Sequence, residues 1–337
     1  MLFLIVPAGL FFFSTVFIWL MDKIRKNAGI SWLITLITAG IFWIWTIYLY
    51  WIPDSAFNIG RSTFPSMEIP LVFQLDSFSR PYLMAISTLF FMMIFTVSSR
   101  YESKTAVQQW IGFEIITFIG MMGIASGGIW PVLLCWMIFD IIDLFFIFSI
   151  SEKGNFVNFL TTVTSIRLTG TLVAAVGLAL SIYNAGGLYQ ADVVSSSGGV
   201  VVLIACALRL GIVPIYQPHM DYSETKNGLV TILHLTSIFT VLPILCRIPL
   251  SSLSPEIAAV LSVFSGFAAF FCSSGWLLTK DLNQGRYYFI TAAASMAFAC
   301  ILRGQKQASI VWGVSIILTS SLFFLQYSRS RLFKALL

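Results

Sequence analysis

Apolar runs of bilayer-crossing length recur along the whole chain, and they constrain the fold more than any motif does. Eleven can be delimited, at roughly 2–20, 28–52, 81–98, 107–127, 131–150, 159–183, 199–217, 229–248, 256–278, 287–303 and 307–327. Each is about 18 to 25 residues, enough for a helix to cross a hydrocarbon core roughly 30 Å thick. The expected fold class is therefore all-α: a polytopic membrane helix bundle of about eleven transmembrane helices. Residues 1–337 read as a single integral membrane domain. Composition agrees, with 10% charged and 58% hydrophobic residues and a mean hydropathy of +0.92. A soluble domain carries about 25% charged residues. The first run reads as a permanent span, because no basic segment precedes it and no small-residue cleavage site follows.

The cations set an orientation, since cytoplasmic connections carry an excess of Lys and Arg. Alternate connections and the tail hold Lys23, Arg25, Lys26, Arg100, Lys104, Lys153, Lys226, Lys280, Arg286, Arg329, Arg331 and Lys334. The opposite side holds Arg61, Arg80, Arg247, Arg303 and Lys306. This places the N-terminus outside and the C-terminus in the cytoplasm. The net charge of +5 follows from that bias, so no nucleic-acid partner is implied.

Cys135, Cys206, Cys246, Cys272 and Cys300 are scattered through apolar runs, without a CxxC or a Cys/His cluster. They read as small hydrophobes, so no disulfide framework and no metal site is expected. No Gly-rich phosphate loop appears, and no cofactor is expected on this chain. Two connections are longer than the rest. Residues 53–80 include LVFQLD, which alternates like a short strand, and residues 184–198 are rich in Gly and Ser.

A charge within a span costs a few kcal/mol on insertion scales and is a functional hypothesis by default. Glu114 lies in GFEIITF, and Asp140 and Asp143 in MIFDIIDLFF at i and i+3, on one helix face. Arg167 lies in TSIRLTG, Arg209 in ALRLGIVP, and His234 in TILHLTS. Each also has a plainer reading. Glu114 and Arg167 can snorkel to an interface, the aspartates can form a structural ion pair with an arginine, and His234 can hydrogen-bond between packed helices. Arg209 is harder to set aside, because Pro214 follows it by five residues. Proline frees a backbone carbonyl about one turn back. Broken backbone at membrane depth is tolerated only where protein or a wet cavity surrounds it. A broken helix near Pro214, beside acid, base and His in successive spans, has the parts of a proton relay.

Residues 207–248, ALRLGIVPIYQPHMDYSETKNGLVTILHLTSIFTVLPILCRI, resemble the antiporter-like membrane subunits of complex I, Mrp-type cation antiporters and membrane-bound hydrogenases. Pro214 falls on that family's helix-breaking proline, Asp221 and Glu224 on acidic loop positions, His234 on its histidine and Arg247 on the arginine ending that helix. FQLDSFSRPYLMAIS resembles the start of the family's third helix, with Asp76 on its aspartate. LTGTLVAAVGLAL resembles the sixth helix through Gly170 and Gly177, and the segment from Gly275 to Gly304 matches through Asp281 and Tyr288. Together these cover residues 71–304, the part that resembles a proton-conducting core.

The departures are also specific. The family's lysine before the proline is Arg209, and arginine does not release a proton where lysine can. The fifth-helix glutamate is matched by Asp140, with Asp143 as the alternative. The family's Pro-Thr-Pro segment is Thr225-Lys226-Asn227-Gly228, and Asn283 replaces a lysine. The family has about fourteen helices against about eleven runs here.

The resemblance implies a membrane subunit of a complex I-like or Mrp-like assembly, in an energy-coupling membrane such as a bacterial inner membrane. Its partners would be other membrane subunits and the bilayer. Asp140 and Arg209 would form a gating ion pair, with His234 as the titratable relay and Asp143, Glu114 and Arg167 along the same polar axis. Two alternatives remain: a scaffold subunit that moves no ions, and an energy-coupling subunit of an inorganic-carbon uptake complex. The chain has no catalytic site of its own in any of these readings, although its assembly can be an NADH- or quinone-type oxidoreductase.

Overall fold

The computed structural model describes residues 2–24, 28–59, 71–96, 106–149, 154–185, 196–213, 228–248, 253–279 and 282–319. Eleven helices lie in the described residues, one for each apolar run. They are α1 (Leu2–Ile24), α2 (Ala28–Tyr48), α3 (Ser79–Thr96), α4 (Ala106–Ala125), α5 (Ile129–Ser149) and α6 (Gly154–Ala185). α7 (Ser196–Arg209), α8 (Gly228–Arg247), α9 (Pro255–Leu278) and α10 (Leu282–Leu302) follow, and α11 covers 306–319. Among the described residues, α1, α9 and the stretches 29–48 and 164–183 are long and apolar enough to cross a membrane by themselves, and shorter apolar helices fill the rest.

The bundle is apolar on its outer surface and carries buried polar and charged groups within a largely apolar core. Phe12, Phe13, Phe145, Phe270, Leu277 and Leu278 are among many large apolar side chains on the outer surface, while Thr117, Asp140, Arg209 and Thr240 are buried. In water such a surface would be a contiguous apolar patch far beyond what monomers expose. In lipid it is the solvated face, and the chain is an integral membrane protein.

α4 sits in the middle of the first eight helices, packed against α1, α2, α3, α5 and α8. Glycines let it approach α8 closely. A Cβ at Gly120 or Gly123 would collide with the Cγ2 methyls of Thr236 and Thr240. Small residues at such crossings replace the hydrophobic driving force that lipid does not supply. The α6–α7 pair uses the same device, with Gly177 against Val202 and Gly198 against Ser181.

The predicted strand is present. Leu71–Leu75 (β2) pairs antiparallel with Ser55–Ile59 (β1), which the sequence did not announce, in the register Phe57 opposite Phe73. β2 also reaches the α4–α5 turn, where the Gly127 N–H donates to the Val72 carbonyl at 2.7 Å.

One boundary differs from expectation. The seventh run was expected to continue to about 217, but α7 stops at Arg209. Gly211 takes a left-handed φ of +74°. The Ile212 N–H donates to the Ala207 carbonyl at 2.9 Å, and the Gly211 N–H to the Leu208 carbonyl at 3.1 Å. This is a Schellman cap with glycine at C′. Pro214 itself lies outside the described residues. The same cap closes α10, with Gly304 at φ +74° and Gln305 donating to the Cys300 carbonyl.

Candidate functional site

Arg209 is the last residue of α7, and cations are favoured at helix C-termini, where carbonyls lack partners. α6 approaches so closely that a Cβ at Gly170 would lie 2.7 Å from the Arg209 Cγ. The guanidinium lies between α6 and α5. There its Nη1 meets the Asp140 carboxylate at 3.1 and 3.2 Å. Both side chains are buried, with 0% and 3% of their surface exposed.

Hydroxyls and a ring complete the enclosure. Arg209 Nη1 also donates to the Arg167 carbonyl at 3.2 Å and to Thr171 Oγ1. Its Nη2 donates to Ser237 Oγ on α8 at 3.2 Å. Thr171 Oγ1 donates to Asp140 Oδ2 at 2.5 Å. The Trp136 ring lies 4.6 Å from the guanidinium carbon, a cation–π geometry, and its Nε1 donates to Thr240 Oγ1 at 2.9 Å. Four helices thus converge on one ion pair: α5, α6, α7 and α8.

The remaining sequence candidates fall around this centre or apart from it. Arg167 is buried and lends its carbonyl, so it does not extend along the surface. Asp143 lies one turn beyond Asp140 on α5, and His234 lies three residues before Ser237 on α8. The side chains of both, like Pro214, Asp221, Glu224 and Asp281, are outside the described residues. Glu114 is fully buried, not snorkelled, and accepts from Ser14 Oγ at 2.5 Å. Among the described residues no hydrogen bond or ion pair joins it to the Asp140–Arg209 pair. Among the described residues no group of His, Cys, Asp and Glu is placed to hold a metal.

Sequence reasoning missed Thr171, Ser237 and Trp136. Each sits one turn from a residue it did identify: Thr171 from Arg167, Ser237 from His234, Trp136 from Asp140. Helical periodicity drawn outward from each charge would have found them.

A second Asp–Arg pair stands at the helix ends on the α3 side. Arg247, the last residue of α8, meets Asp76 at 2.9 and 3.0 Å. It also donates to the carbonyls of Ile124, at 3.1 Å, and Ser126 at the end of α4. Asp76 meanwhile caps α3, accepting from the Ser79 N–H at 2.7 Å while its own N–H donates to Ser79 Oγ at 2.9 Å. Burial alone would raise the Asp76 pKa. Hydrogen bonds and charge from Arg247, with help from Ser79, outweigh it and hold the carboxyl below its ordinary range.

The fold and this centre define a polytopic helical membrane protein with a buried ion pair at the end of α7. No protein-family model and no curated protein matches the chain. Solved structures do match, and all three below are membrane complexes. A chain of the membrane-bound sulfane sulfur reductase, an archaeal respiratory membrane complex, superposes with TM-score 0.77 at 13% identity, over 96% of this chain and 69% of that one. A chain of the Mrp complex from Dietzia sp. DQ12-45-1b gives TM-score 0.75 at 16% identity, over 95% of this chain and 37% of that one. A chain of respiratory complex I from Thermus thermophilus with bound NADH gives 0.74 at 16% identity, over 98% and 71%. At such identities it is the fold that is shared.

Proposed function

We propose that the chain is a membrane subunit of a multi-subunit assembly of this kind, and that it takes part in moving protons or cations along its buried polar axis. The observation that carries the reading is the solvent-closed Asp140–Arg209 pair at the end of α7. Arg209 keeps its charge at any working pH, so it is the fixed element. Asp140 is the partner that can be neutralised or drawn away. His234 sits one turn before Ser237, which already holds Arg209. An imidazole there charges and discharges near neutral pH. On this reading His234 is the titratable relay, and its protonation is coupled to opening and closing of the pair. Asp143, one turn along α5, is the second acidic position on that helix face. The cation bias sets the N-terminus outside and the C-terminus in the cytoplasm.

Gentle detergent purification with mass spectrometry of co-eluting proteins tests the first half. Iron–sulfur, quinone-module or antiporter subunits support it, a zinc enzyme favours the inorganic-carbon reading, and a solitary protein contradicts all assembly readings. The second half is tested in the assembled complex. Asp140→Asn and His234→Ala are each expected to abolish coupled ion transport, and unchanged transport in both sinks the relay.

One observation favours the scaffold reading as runner-up. Acceptors on three helices hold Arg209 Nη1 and Nη2, as they would in a static structural pair. Under it the same variants lose assembly, and no transport is there to lose.

A further inference from the structure

Glu114 is a buried acid that the ion-pair centre does not use. It belongs to α4 but is met by α1 and α2. Thr38 Oγ1 donates to Ser14 Oγ at 2.8 Å, and Ser14 Oγ donates to Glu114 Oε1 at 2.5 Å. Glu114 Oε2 is buried and has no hydrogen-bond partner among the described residues. One turn earlier on α4, Trp110 Nε1 is a second buried polar atom in the same condition.

Among the described residues, no unpaired charge on its side of the bundle is placed to neutralise a Glu114 anion. Among the described residues α2 has no charged side chain, and α1 has only Asp22 and Lys23 at its far end. On α3 the only charge is Arg80, at the opposite end and paired with Asp54. On α5 Asp140 is committed to Arg209, and on α8 Arg247 is committed to Asp76. The side chains of Asp143 and His234 lie outside the described residues. An ionised carboxylate with one hydroxyl donor, removed from water and without a counter-charge, is costly by several kcal/mol. The neutral acid fits this setting.

Access to it is one-sided. Ser31, Thr35 and Thr38 are buried at i, i+4 and i+7 on α2, one helix face. Thr35 Oγ1 donates to the Ser31 carbonyl at 2.9 Å, so the hydroxyl run that reaches Glu114 is Thr38 to Ser14. Beyond Glu114 the way is closed by Phe11, whose ring packs against those of Phe42, Phe90 and Phe118 at 5.1, 6.0 and 6.0 Å. Each hydroxyl of the run can both donate and accept, which is what proton transfer along it requires.

We propose that Glu114 is a proton-binding site separate from the Asp140–Arg209 centre, loaded from the α2 side through the Thr38–Ser14 hydroxyl run and closed on the far side by Phe11 and its aromatic neighbours. The carboxylate takes up one proton and returns it by the same run. The site does not depend on the ion pair acting as a gate.

Infrared difference spectroscopy tests it, on the full chain with its accompanying subunits in lipid nanodiscs. The wild type should show the carbonyl band of a protonated carboxylic acid that is lost in Glu114→Gln and persists in Asp140→Asn. Ser14→Ala should move that band's frequency, and Thr38→Val should slow its shift in deuterated buffer severalfold. If Glu114→Gln does not assemble, the Ser14 and Thr38 variants carry the test. A band insensitive to all three, or one lost only in Asp140→Asn, overturns the site. The last outcome would leave the ion-pair reading standing, so the two proposals fail separately.

Discussion

Two Asp–Arg pairs of the same chemistry stand at two depths of this molecule. Each arginine is the last residue of its helix, Arg209 on α7 and Arg247 on α8. Asp76–Arg247 lies where helices end, with 20% of the aspartate side chain exposed. Its arginine also supplies the carbonyls that end α4, and its aspartate caps α3. Each of those tasks is one any helix end must solve. Asp140–Arg209 lies mid-bundle, where an apolar pair of the same volume would commonly be as stable or more so. Position, not chemistry, separates a latch from a candidate gate.

The comparison breaks most readily at the centre. Asp140→Ala strands a buried guanidinium and should cost about 3–5 kcal/mol, read as a lower unfolding temperature in nanodiscs. Gly170→Leu tests the packing that aims Arg209. With a Cβ already 2.7 Å from the Arg209 Cγ, overpacking should cost about 1–3 kcal/mol and cut transport without touching a charge.

The outer pair should respond less, and differently with pH. Asp76→Asn keeps the cap's shape but weakens hydrogen bonds to a charged partner, worth about 1.5–3 kcal/mol. The folded-state pKa of Asp76 is lowered, so its stabilisation is fully present above the unfolded carboxylate value of about 3.9 and is lost as pH falls through the lowered folded value. Thermal melts of wild type and Asp76→Asn should therefore differ by a constant amount from neutral pH down to about 5 and converge in stronger acid. Convergence at neutral pH would contradict the assignment. Gly211→Ala should have the smallest effect, about 1 kcal/mol. Its added Cβ would meet nothing closer than 3.8 Å, so only the left-handed backbone resists it.

The same contrast marks what the sequence could disclose. Span number was legible because lipid demands about twenty apolar residues per crossing, and eleven runs became eleven helices. Asp140 and Arg209 were legible because charge inside a span is rare. Their enclosure was not, since Thr171, Ser237 and Thr240 look like any of many hydroxyl residues until helices are placed. The end of α7 was misjudged because Pro214 is the louder signal, whereas Gly211 three residues earlier carries the cap. β1 was missed because five residues without clean alternation do not announce a strand. Asp76 and Arg247 were each noted, but nothing in a linear chain joins positions 171 residues apart.

The double variant Asp140→Leu/Arg209→Leu tests the central claim most directly. It removes both charges and leaves apolar bulk, so stability should return close to that of the wild type, as apolar replacement of buried pairs commonly allows. Coupled ion transport by the assembled complex should be abolished. A variant that assembles, melts like the wild type and still transports would show the pair to be architecture alone.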